Sequence, residues 1–536
     1  MRRISALLVL AALAASACGD DQRDGGAITI SQTAQPDFLD PALSYATGGW
    51  EPMWLVYTPL LTYRHAEGKE GTELIPGLAE DLPEVSADGR TYRLKLRDGL
   101  EYSDGTAVEP SDFEHAIKRV LNMQSPGSSL FLGIRGAQQY AEAGKPAGDI
   151  SGIETDDATG AITIRLAAPD ANFANALATI FSGLVPGDTP FENLTKDPPP
   201  GVGPYVIARS QPNREFVLRR NPDFELPGIP SGRVDRITTK IITSVDRQAQ
   251  DVIRGKLDYM LEAPPGDLLP RIRRDHADRY RESVIAGTNY FFLNTETPPF
   301  DKLKVRRAVN RGLDERALRK VAGGLLKPGC NFLPPTIPGH QRRDPCPYGD
   351  PGGEPDIEGA RRLVREAGAE GARVRVWGPK QDPGPGLTSY YADMLREIGL
   401  DPTIELIDFA VYSQVLGSEK TRAQTGFLSW AGEYPHPYSF LKQFKAAAIT
   451  PTSNQNLAHV RDRELDSEMD RLNAEPDPLR VEDAWAALDR RVVDRAYVAV
   501  YGYPVRTTFF SDRMDAGECS IVHPVFGNDY SSFCLK

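Results

Sequence analysis

Ser439 and Lys442 are the two residues whose types and spacing could do covalent chemistry. The segment Ser439-Phe440-Leu441-Lys442 fits the S-x-x-K pattern of penicillin-interacting serine enzymes, in which the serine hydroxyl is the nucleophile. The KTG motif that accompanies this pattern is absent from the sequence, and a four-residue match arises readily by chance in a chain of 536 residues. The start of an exposed helix is the ordinary interpretation, and a serine hydrolase remains only as a second alternative.

Other enzyme motifs are missing from the sequence. It contains no GxSxG, no HExxH, no GxxxxGK loop and no GxGxxG, and no two of its seven histidines are four residues apart. These absences remove the common signatures of hydrolases, zinc enzymes, nucleotide-binding proteins and dehydrogenases. The sequence therefore predicts a protein that is not an enzyme and that has no cofactor and no metal site.

The five cysteines separate into one near the start and two close pairs. Cys330 and Cys346 lie in a loop rich in proline and glycine, and Cys519 and Cys534 lie near the end of the chain. An even number of cysteines outside the cytoplasm indicates disulfides, so we predict Cys330–Cys346 and Cys519–Cys534. A zinc site is the rival, but no CxxC and no paired histidine lies near them.

Glu433 is the acidic residue that the predicted elements place best for ligand binding. Strands over 374–377, 403–407 and 426–430 alternate with helices over 387–398 and 409–416, which predicts a βαβαβ unit with a parallel sheet. Ligands of such sheets bind beyond the carboxyl ends of the strands, and Glu433 follows the third strand. A surface carboxylate or a structural ion pair is the ordinary alternative for this residue.

The clearest single helix is predicted over 111–122. Ser111 followed by Glu114 fits a capping box at its start. Its apolar residues fall on one face at helical spacing: Phe113, Ala116, Ile117, Val120 and Leu121.

The first 18 residues have the pattern of a secretory signal. Arg2 and Arg3 precede an apolar run of about ten residues, about half the length that a bilayer-spanning helix needs. Ala15-Ser16-Ala17-Cys18 resembles the lipobox of bacterial lipoproteins, in which the cysteine is lipidated. We predict a lipoprotein signal peptide over 1–17, lipidation at Cys18 and a flexible tether over 18–26. A transmembrane anchor or a buried helix is the alternative.

Composition sets the broad class. The chain of 536 residues has 40% hydrophobic and 25% charged residues, which is usual for a globular protein and too long for a single core. The formal net charge of −12 argues against a nucleic-acid partner held through its phosphates. No further apolar run is long enough to cross a membrane. These observations predict a body of two or more lobes outside the cytoplasm.

A set of short motifs, in a fixed order over about residues 28–510, resembles the family 5 solute-binding proteins of ABC transporters, the oligopeptide- and dipeptide-binding group. The motifs are Leu78-Ala79-Glu80 with 86–105 and Asp112, Gly201-Val202-Gly203-Pro204-Tyr205, Arg220-Asn221-Pro222-Asp223-Phe224, 255–258, Asn294 with Pro299-Phe300-Asp301 and Val305-Arg306-Arg307-Ala308, and Trp430-Ala431-Gly432-Glu433-Tyr434. The chain differs from the family pattern where Val202 replaces threonine, Phe224 replaces tyrosine and Glu433 replaces aspartate.

The resemblance implies an α/β fold with two lobes, of the periplasmic-binding-protein type II and its large peptide-binding class, with an extra subdomain in lobe 1. Lobe 1 would cover 27–287, including the subdomain at about 64–195, and the chain would return to it over 504–536. Lobe 2 would cover 288–503. Two crossings between the lobes would form a hinge that closes on a ligand.

The resemblance also implies a function and a set of site residues. The chain would be a lipid-anchored, monomeric binding protein on the outer face of the bacterial cytoplasmic membrane that captures short peptides for an ABC importer. In peptide-binding members the acid of W-x-x-D-Y holds the terminal ammonium, a role that falls on Glu433. A sugar, a metal chelate or a cationic metabolite is the alternative ligand. The implied substrate-binding residues are Glu433, Trp430, Ala431, Tyr434, Tyr45, Asn456 and Tyr503.

Overall fold

The computed structural model describes residues 24–144, 148–452, 454–475 and 478–536. The predicted signal peptide, Cys18 and most of the predicted tether lie outside the described residues. Within these four ranges, no helix is both long enough and apolar enough to cross a membrane.

Strands and helices alternate along most of the described ranges. The strands are β1 (Ala27–Gln32), β2 (Leu61–Tyr63), β3 (Leu74–Pro76), β4 (Glu84–Val85), β5 (Thr91–Lys95), β6 (Ile153–Asp156), β7 (Ala161–Arg165), β8 (Tyr205–Gln211), β9 (Glu215–Arg220), β10 (Arg236–Ile241), β11 (Tyr259–Met260), β12 (Tyr280–Val284), β13 (Gly287–Leu293), β14 (Leu326–Lys327), β15 (Arg373–Pro379), β16 (Asp401–Ile407), β17 (Thr425–Ala431), β18 (Val498–Phe509), β19 (Val522–His523) and β20 (Gly527–Asn528). The α-helices are α1 (Thr47–Val56), α2 (Pro110–Asn122), α3 (Ala137–Ala143), α4 (Phe173–Ala176), α5 (Val245–Ile253), α6 (Leu269–Asp275), α7 (Leu303–Gly312), α8 (Glu315–Val321), α9 (Ile357–Glu366), α10 (Gly384–Glu397), α11 (Phe409–Leu416), α12 (Pro437–Leu441), α13 (Arg463–Asn473) and α14 (Glu482–Asp494).

Lobe 1 is built on a five-stranded sheet in the order β11-β1-β10-β9-β8. β1 runs parallel to β10 and β11, whereas β10, β9 and β8 pair antiparallel. Ile28 and Ile30 lie two residues apart on β1 and both are buried, as the period of a strand requires. The last segment of the chain packs in the same core through Phe510, Phe526 and Phe533, so the chain ends in lobe 1.

A smaller four-stranded sheet, in the order β4-β5-β7-β6, and helix α2 form an extra layer on lobe 1. Arg119 of α2 reaches into the lobe and donates two hydrogen bonds to the Asp40 carboxylate, at 3.1 and 2.8 Å. Both side chains are almost fully buried. A buried ion pair of this kind is strongly destabilised when one partner is removed, so it fixes where the layer sits.

Helix α2 begins one residue earlier than predicted, and its cap is different. Pro110 is its first residue and Glu109 precedes it, because proline has no N–H to leave unbonded and its fixed φ suits the first helical position. The Glu109 N–H donates to Asp112 Oδ2 at 3.0 Å. Glu114 instead accepts the N–H of Ile150 at 2.7 Å. The predicted capping by Ser111 and Glu114 is therefore wrong, although the helix and its apolar face are confirmed.

Lobe 2 is built on a seven-stranded sheet in the order β12-β18-β13-β17-β15-β16, with β14 also paired to β18. β15, α10, β16, α11 and β17 follow one another, and β15 is parallel to both β16 and β17. This is the predicted βαβαβ unit, which is confirmed. Two apolar clusters pack on this sheet, one around Phe291 and Tyr391 and the other around Tyr290 and Trp485.

The two lobes are joined by β12–β13 and by β18. The second half of β18 pairs antiparallel with β12, and its first half pairs with β13. The pairing shifts register next to Asn289, and the Ala286 N–H donates to Pro524 O of the returning segment at 2.8 Å. The crossing segments are therefore paired strands with a local irregularity in their register.

Both predicted cysteine pairs are disulfides in the structure. The Cα atoms of Cys330 and Cys346 are 6.2 Å apart, and those of Cys519 and Cys534 are 5.0 Å apart. The first disulfide closes a loop on lobe 2, and the second holds the end of the chain in lobe 1. Closing loops of 16 and 15 residues restricts the unfolded chain, by about 3 kcal/mol each in the chain-entropy model.

His523 is a buried imidazole that the fold holds in its neutral form. Its Nε2 lies 2.6 Å from Gly71 O, and its Nδ1 accepts N–H groups from Val525 and Phe526 at 3.2 and 3.0 Å. A second proton on Nδ1 would face these two donors. Burial lowers the pKa of His523 to about 3.

We expect His523 to make the folded state less stable in acid. The unfolded chain takes up a proton near pH 6.5 that the folded state refuses until about pH 3, so the stability from neutral His523 is lost as the pH falls through this window. The replacement His523→Gln should flatten the pH dependence of the free energy of unfolding by at most about 1.4 kcal/mol per pH unit. Guanidinium denaturation of both proteins between pH 7 and 4 measures the difference, and parallel curves would contradict it.

Candidate functional site

Glu433 lies just beyond the carboxyl end of β17, at the edge of the sheet where parallel strands bind their ligands. β17 ends at Ala431, and the chain turns at Gly432 toward α12. A Cβ at residue 432 would lie 2.6 Å from the Phe440 ring, so the close approach of turn and helix requires glycine. The turn brings Glu433 over the helix that carries Ser439.

Ser439 holds the Glu433 carboxylate in one position. Its Oγ donates to Glu433 Oε2 at 2.8 Å and accepts the Glu433 backbone N–H at 3.0 Å. The Glu433 side chain is 12% exposed, so this carboxylate is mostly shielded from water. Ser439 Oγ and Lys442 Nζ both contact Oε2, so neither of these contacts is to Oε1.

Lys442 supplies the positive charge next to this carboxylate. Its Nζ lies 3.3 Å from Glu433 Oε2 and 5.9 Å from the centre of the Tyr434 ring. The ammonium also acts on Asp170 of lobe 1: burial raises the pKa of Asp170, and the charge of Lys442 opposes that rise. Lys442 therefore contacts an acid of its own lobe, and its charge also acts on an acid of the other lobe.

Trp430 fixes the end of β17 next to the site. Its Nε1 donates to the backbone oxygen of Ser439 at 3.0 Å, and its indole packs against the apolar cluster around Tyr290. Ala431 follows and pairs with Gly287 of β13, so it lies at the point where the chain crosses between the lobes. Both predicted residues are thus adjacent to Glu433.

Lobe 1 faces this site through Tyr45. Its ring is 45% exposed and contacts the rings of Trp50 and Phe181, with centroids 6.2 and 6.3 Å away. Burial of its hydroxyl and the negative charge of Glu433 raise the pKa of Tyr45 to about 12. Tyr45 is therefore close enough to Glu433 to feel its charge from the opposite lobe.

Tyr434 belongs to lobe 2 but packs in the core of lobe 1. It is 4% exposed and lies in the apolar cluster that includes Tyr63 and Phe181. Burial raises its pKa well above the usual range, and the charges of Asp170 and Glu433 add to that rise. Insertion of this ring shows that the structure has its lobes closed at this point.

A second contact between the lobes is polar. Asn473, the last residue of α13, accepts the N–H of Ala171 at 2.7 Å through its backbone oxygen. Its Nδ2 donates to Asp170 Oδ1 at 2.9 Å, and its Oδ1 accepts from the side chain of Asn172. We call these contacts between Asn473 and residues 170–172 the latch.

Asn456 and Tyr503 differ from the other predicted site residues. The Asn456 amide, 1% exposed, donates to the backbone oxygens of Lys445 and Val460, both at 3.0 Å. The Tyr503 hydroxyl, in a ring that is 3% exposed, bonds to the backbone of Asn331. The structure does not bring them to Glu433, because their polar atoms are used inside lobe 2. Their part in binding remains a prediction without geometric support.

The serine of the S-x-x-K pattern is not placed as a nucleophile. Ser439 is fully buried, so a substrate cannot reach its hydroxyl, which donates to Glu433 Oε2 at 2.8 Å. Lys442 Nζ lies 3.3 Å from the same carboxylate, so it contacts Glu433 rather than the Ser439 hydroxyl. Both residues of the motif therefore contact Glu433, which neither of the two interpretations of the sequence anticipated.

Other features of the site had no signal in the sequence. Asp170 and Asn473 are 303 residues apart and lie in a loop and at a helix end, so no periodicity connects them. Among the described residues, no group of three or more His, Cys, Asp or Glu side chains could hold a metal ion.

Comparisons with known proteins identify the family of this chain. Residues 73–451 match the family described as bacterial extracellular solute-binding proteins, family 5 Middle. A probable di/tripeptide-binding protein 5 of Pseudomonas aeruginosa (strain UCBPP-PA14) is 28% identical over 417 residues, 73% of this chain and 74% of the relative. The dipeptide-binding protein of Escherichia coli (strain K12) is 26% identical over 462 residues, 80% of this chain and 82% of the relative.

Solved structures show the same fold. The clavulanic acid biosynthesis oligopeptide binding protein 2 has a TM-score of 0.84 and 26% identity, over 96% of both chains. The unliganded open form of the periplasmic murein tripeptide binding protein MppA has a TM-score of 0.76 and 19% identity, over 96% of this chain and 98% of the other. The two-lobe α/β fold that the sequence predicts is confirmed.

We expect Asn473→Ala to favour the open arrangement of the lobes. The replacement removes both side-chain bonds of the latch and leaves Asp170 one donor fewer in a buried place, a loss of about 1–3 kcal/mol. Small-angle X-ray scattering should show a larger radius of gyration than for the unaltered protein. Asn193→Ala, which loses a hydrogen bond inside lobe 1, is the matched control. Equal radii for all three proteins would contradict a role of the latch in closure.

Proposed function

This chain belongs to family 5 of the bacterial extracellular solute-binding proteins, and we propose that it captures short peptides between its lobes and delivers them to an ABC importer. As a member of that family it is an extracytoplasmic binding protein. Relatives named for the di- and tripeptides that they bind support a peptide as the ligand. Glu433, a rigid carboxylate that both lobes enclose, is the observation that carries the proposal.

We propose that Glu433 receives the ammonium group of the peptide. A buried ammonium needs a compensating charge, and a charge-assisted hydrogen bond to a carboxylate provides it. Ser439 fixes Oε2, so Oε1 is the oxygen that a ligand can reach. Trp430 and Ala431 would line the pocket from lobe 2. Tyr434, whose ring packs in the lobe 1 core, would line it where the lobes meet.

Tyr45 would close the pocket from lobe 1, because it already lies within the field of Glu433. The peptide backbone would bind as an added strand, through main-chain hydrogen bonds that tolerate different side chains. This mode suits a protein that must accept many sequences.

We propose lobe boundaries for this chain. Lobe 1 would cover 27–287, with its subdomain at about 64–195, and 504–536; lobe 2 would cover 288–503. β12–β13 and β18 would act as the hinge, because the proposed boundaries at 287 and 504 fall at the first residue of β13 and within β18, and β18 pairs with both β12 and β13. A monomer closing on one peptide would then present its lobes to the importer.

We expect Glu433→Gln to weaken the binding of a free tripeptide such as Ala-Ala-Ala. Loss of the carboxylate charge leaves the ligand ammonium without its partner, and we expect a cost of about 2 kcal/mol, or about thirty-fold in Kd. Isothermal titration calorimetry measures it.

Asp470→Asn is the matched control, because Asp470 is an exposed acid of lobe 2 that pairs with Lys445. Unchanged binding by Glu433→Gln would contradict the assigned role. Native mass spectrometry of the purified protein should show a co-purified peptide, whereas a sugar, a metal chelate or a non-peptide cation would contradict the peptide proposal.

We also propose that Cys18 anchors the protein to the membrane through a lipid, after removal of residues 1–17. In a bacterial host fed a labelled fatty acid, the unaltered protein should carry the label and Cys18→Ser should not, because acylation at this position needs the thiol. The double replacement Cys330→Ser and Cys346→Ser is the control, since these thiols form a disulfide and should not affect labelling. Equal labelling of Cys18→Ser would disprove the anchor.

A further inference from the structure

Lys442 already holds an ammonium group next to the carboxylate of the proposed peptide site. Its Nζ is 3.3 Å from Glu433 Oε2, and its side chain is 21% exposed. The ammonium contacts the Glu433 carboxylate, and it lies 5.9 Å from the centre of the Tyr434 ring. Lys442 is therefore a partly buried neighbour of the proposed site.

The ion pair between Glu433 and Lys442 does not depend on closure of the lobes. Glu433, Ser439 and Lys442 all belong to lobe 2, within ten residues of one another. Lys442 begins the turn that follows α12, and Ser439 lies on the same short helix, so one local unit sets the carboxylate and its cation together. The Glu433 carboxylate therefore has a positive charge beside it before any ligand arrives.

A ligand ammonium at Oε1 would lie next to the Lys442 ammonium on Oε2 of the same carboxylate. Two positive groups then share one negative charge, and their mutual repulsion opposes binding of the second. An uncharged amino end meets no such repulsion. It can still accept or donate hydrogen bonds within the site.

We propose that Lys442 is a specificity-determining residue that competes with the ligand ammonium for Glu433 and thereby broadens the ligand class to short peptides with an uncharged amino end, such as N-acylated peptides. The ligand class in this inference rests on the proposed function, whereas the competition between Lys442 and another ammonium for Glu433 does not. Removal of the Lys442 charge should restore a strong preference for a free ammonium.

The first experiment tests the competition without a peptide. Lys442→Ala removes the lysine ammonium and leaves space beside Glu433, so millimolar butylammonium should raise the Tm of this variant by binding to its folded state. The unaltered protein should show no rise in Tm, because Lys442 occupies the space beside Glu433. The double variant Glu433→Gln with Lys442→Ala should show none either, because it lacks the carboxylate charge. No rise for Lys442→Ala would overturn the inference.

The second experiment tests the specificity. Calorimetry with Ala-Ala-Ala and N-acetyl-Ala-Ala-Ala should give similar Kd values for the unaltered protein. For Lys442→Met, which keeps the length of the side chain, the free peptide should bind about ten-fold more tightly and the acetylated peptide should bind as before. Lys445→Met is the matched control, because Lys445 follows three residues later and pairs with Asp470 instead.

The outcomes separate this inference from the proposed function. The inference would be overturned if Lys442→Met changed the Kd values of both peptides equally, or if it weakened the binding of the free peptide. If butylammonium stabilises Lys442→Ala but no peptide binds to any variant, the competition for Glu433 is supported and the peptide function is wrong. Should Lys442→Ala not fold, the two peptide affinities of Lys442→Met decide alone.

Discussion

A carboxylate that two lobes enclose must keep a positive charge beside it, because an isolated charge loses its water when the lobes close. This constraint determines the arrangement around Glu433. Gly432 lets the turn approach α12, Ser439 fixes one carboxylate oxygen, and Lys442 neutralises the charge from the same helix end. The surroundings of Glu433 are thus connected to the core of lobe 2, because α12, which carries Ser439, also packs Phe440 into that core.

The same constraint acts where the lobes are joined. Glu51 of α1 is fully buried, and it pairs with Arg506 of β18 and accepts the Tyr530 hydroxyl at 2.6 Å. Burial raises the pKa of Glu51, and the charge of Arg506 opposes that rise. Because β18 passes from lobe 2 into lobe 1, this pair fixes the crossing strand to a helix of lobe 1. Rotation of lobe 2 can then occur about an anchored strand rather than a loose linker.

Local sequence patterns predicted the parts of the fold that depend on residues close together in the chain. The βαβαβ unit from β15 to β17 was predictable from apolar runs of strand and helix length, and Cys330 and Cys346 were predictable from their closeness in the sequence. The start of α2 was missed because proline at the first helical position outweighs a capping pattern one residue later. Family resemblance pointed to Glu433. It could not show that Asn456 and Tyr503 use their polar atoms inside lobe 2, because those bonds depend on backbone groups that no side-chain motif encodes.

The contacts between the two lobes are individually weak, and their strength determines how far the lobes close without a ligand. The latch consists of three hydrogen bonds that Asn473 makes with the Asp170 carboxyl, the Asn172 amide and the backbone of Ala171. The pair between Lys69 and Glu482 has a lysine that is 66% exposed, so water screens it. Tyr434 is the main apolar group that crosses between the lobes in the described chain, and one ring adds only about 2–3 kcal/mol when it leaves water. Closure without a ligand is therefore weakly favoured at most. A ligand shifts such an equilibrium only by its differential affinity for the two forms. Under the proposed function, Tyr45 of lobe 1 and Glu433 of lobe 2 would both contact the ligand in the closed form, and that would be the source of the difference. A weak intrinsic preference for closure would then also let the lobes separate when the ligand is released.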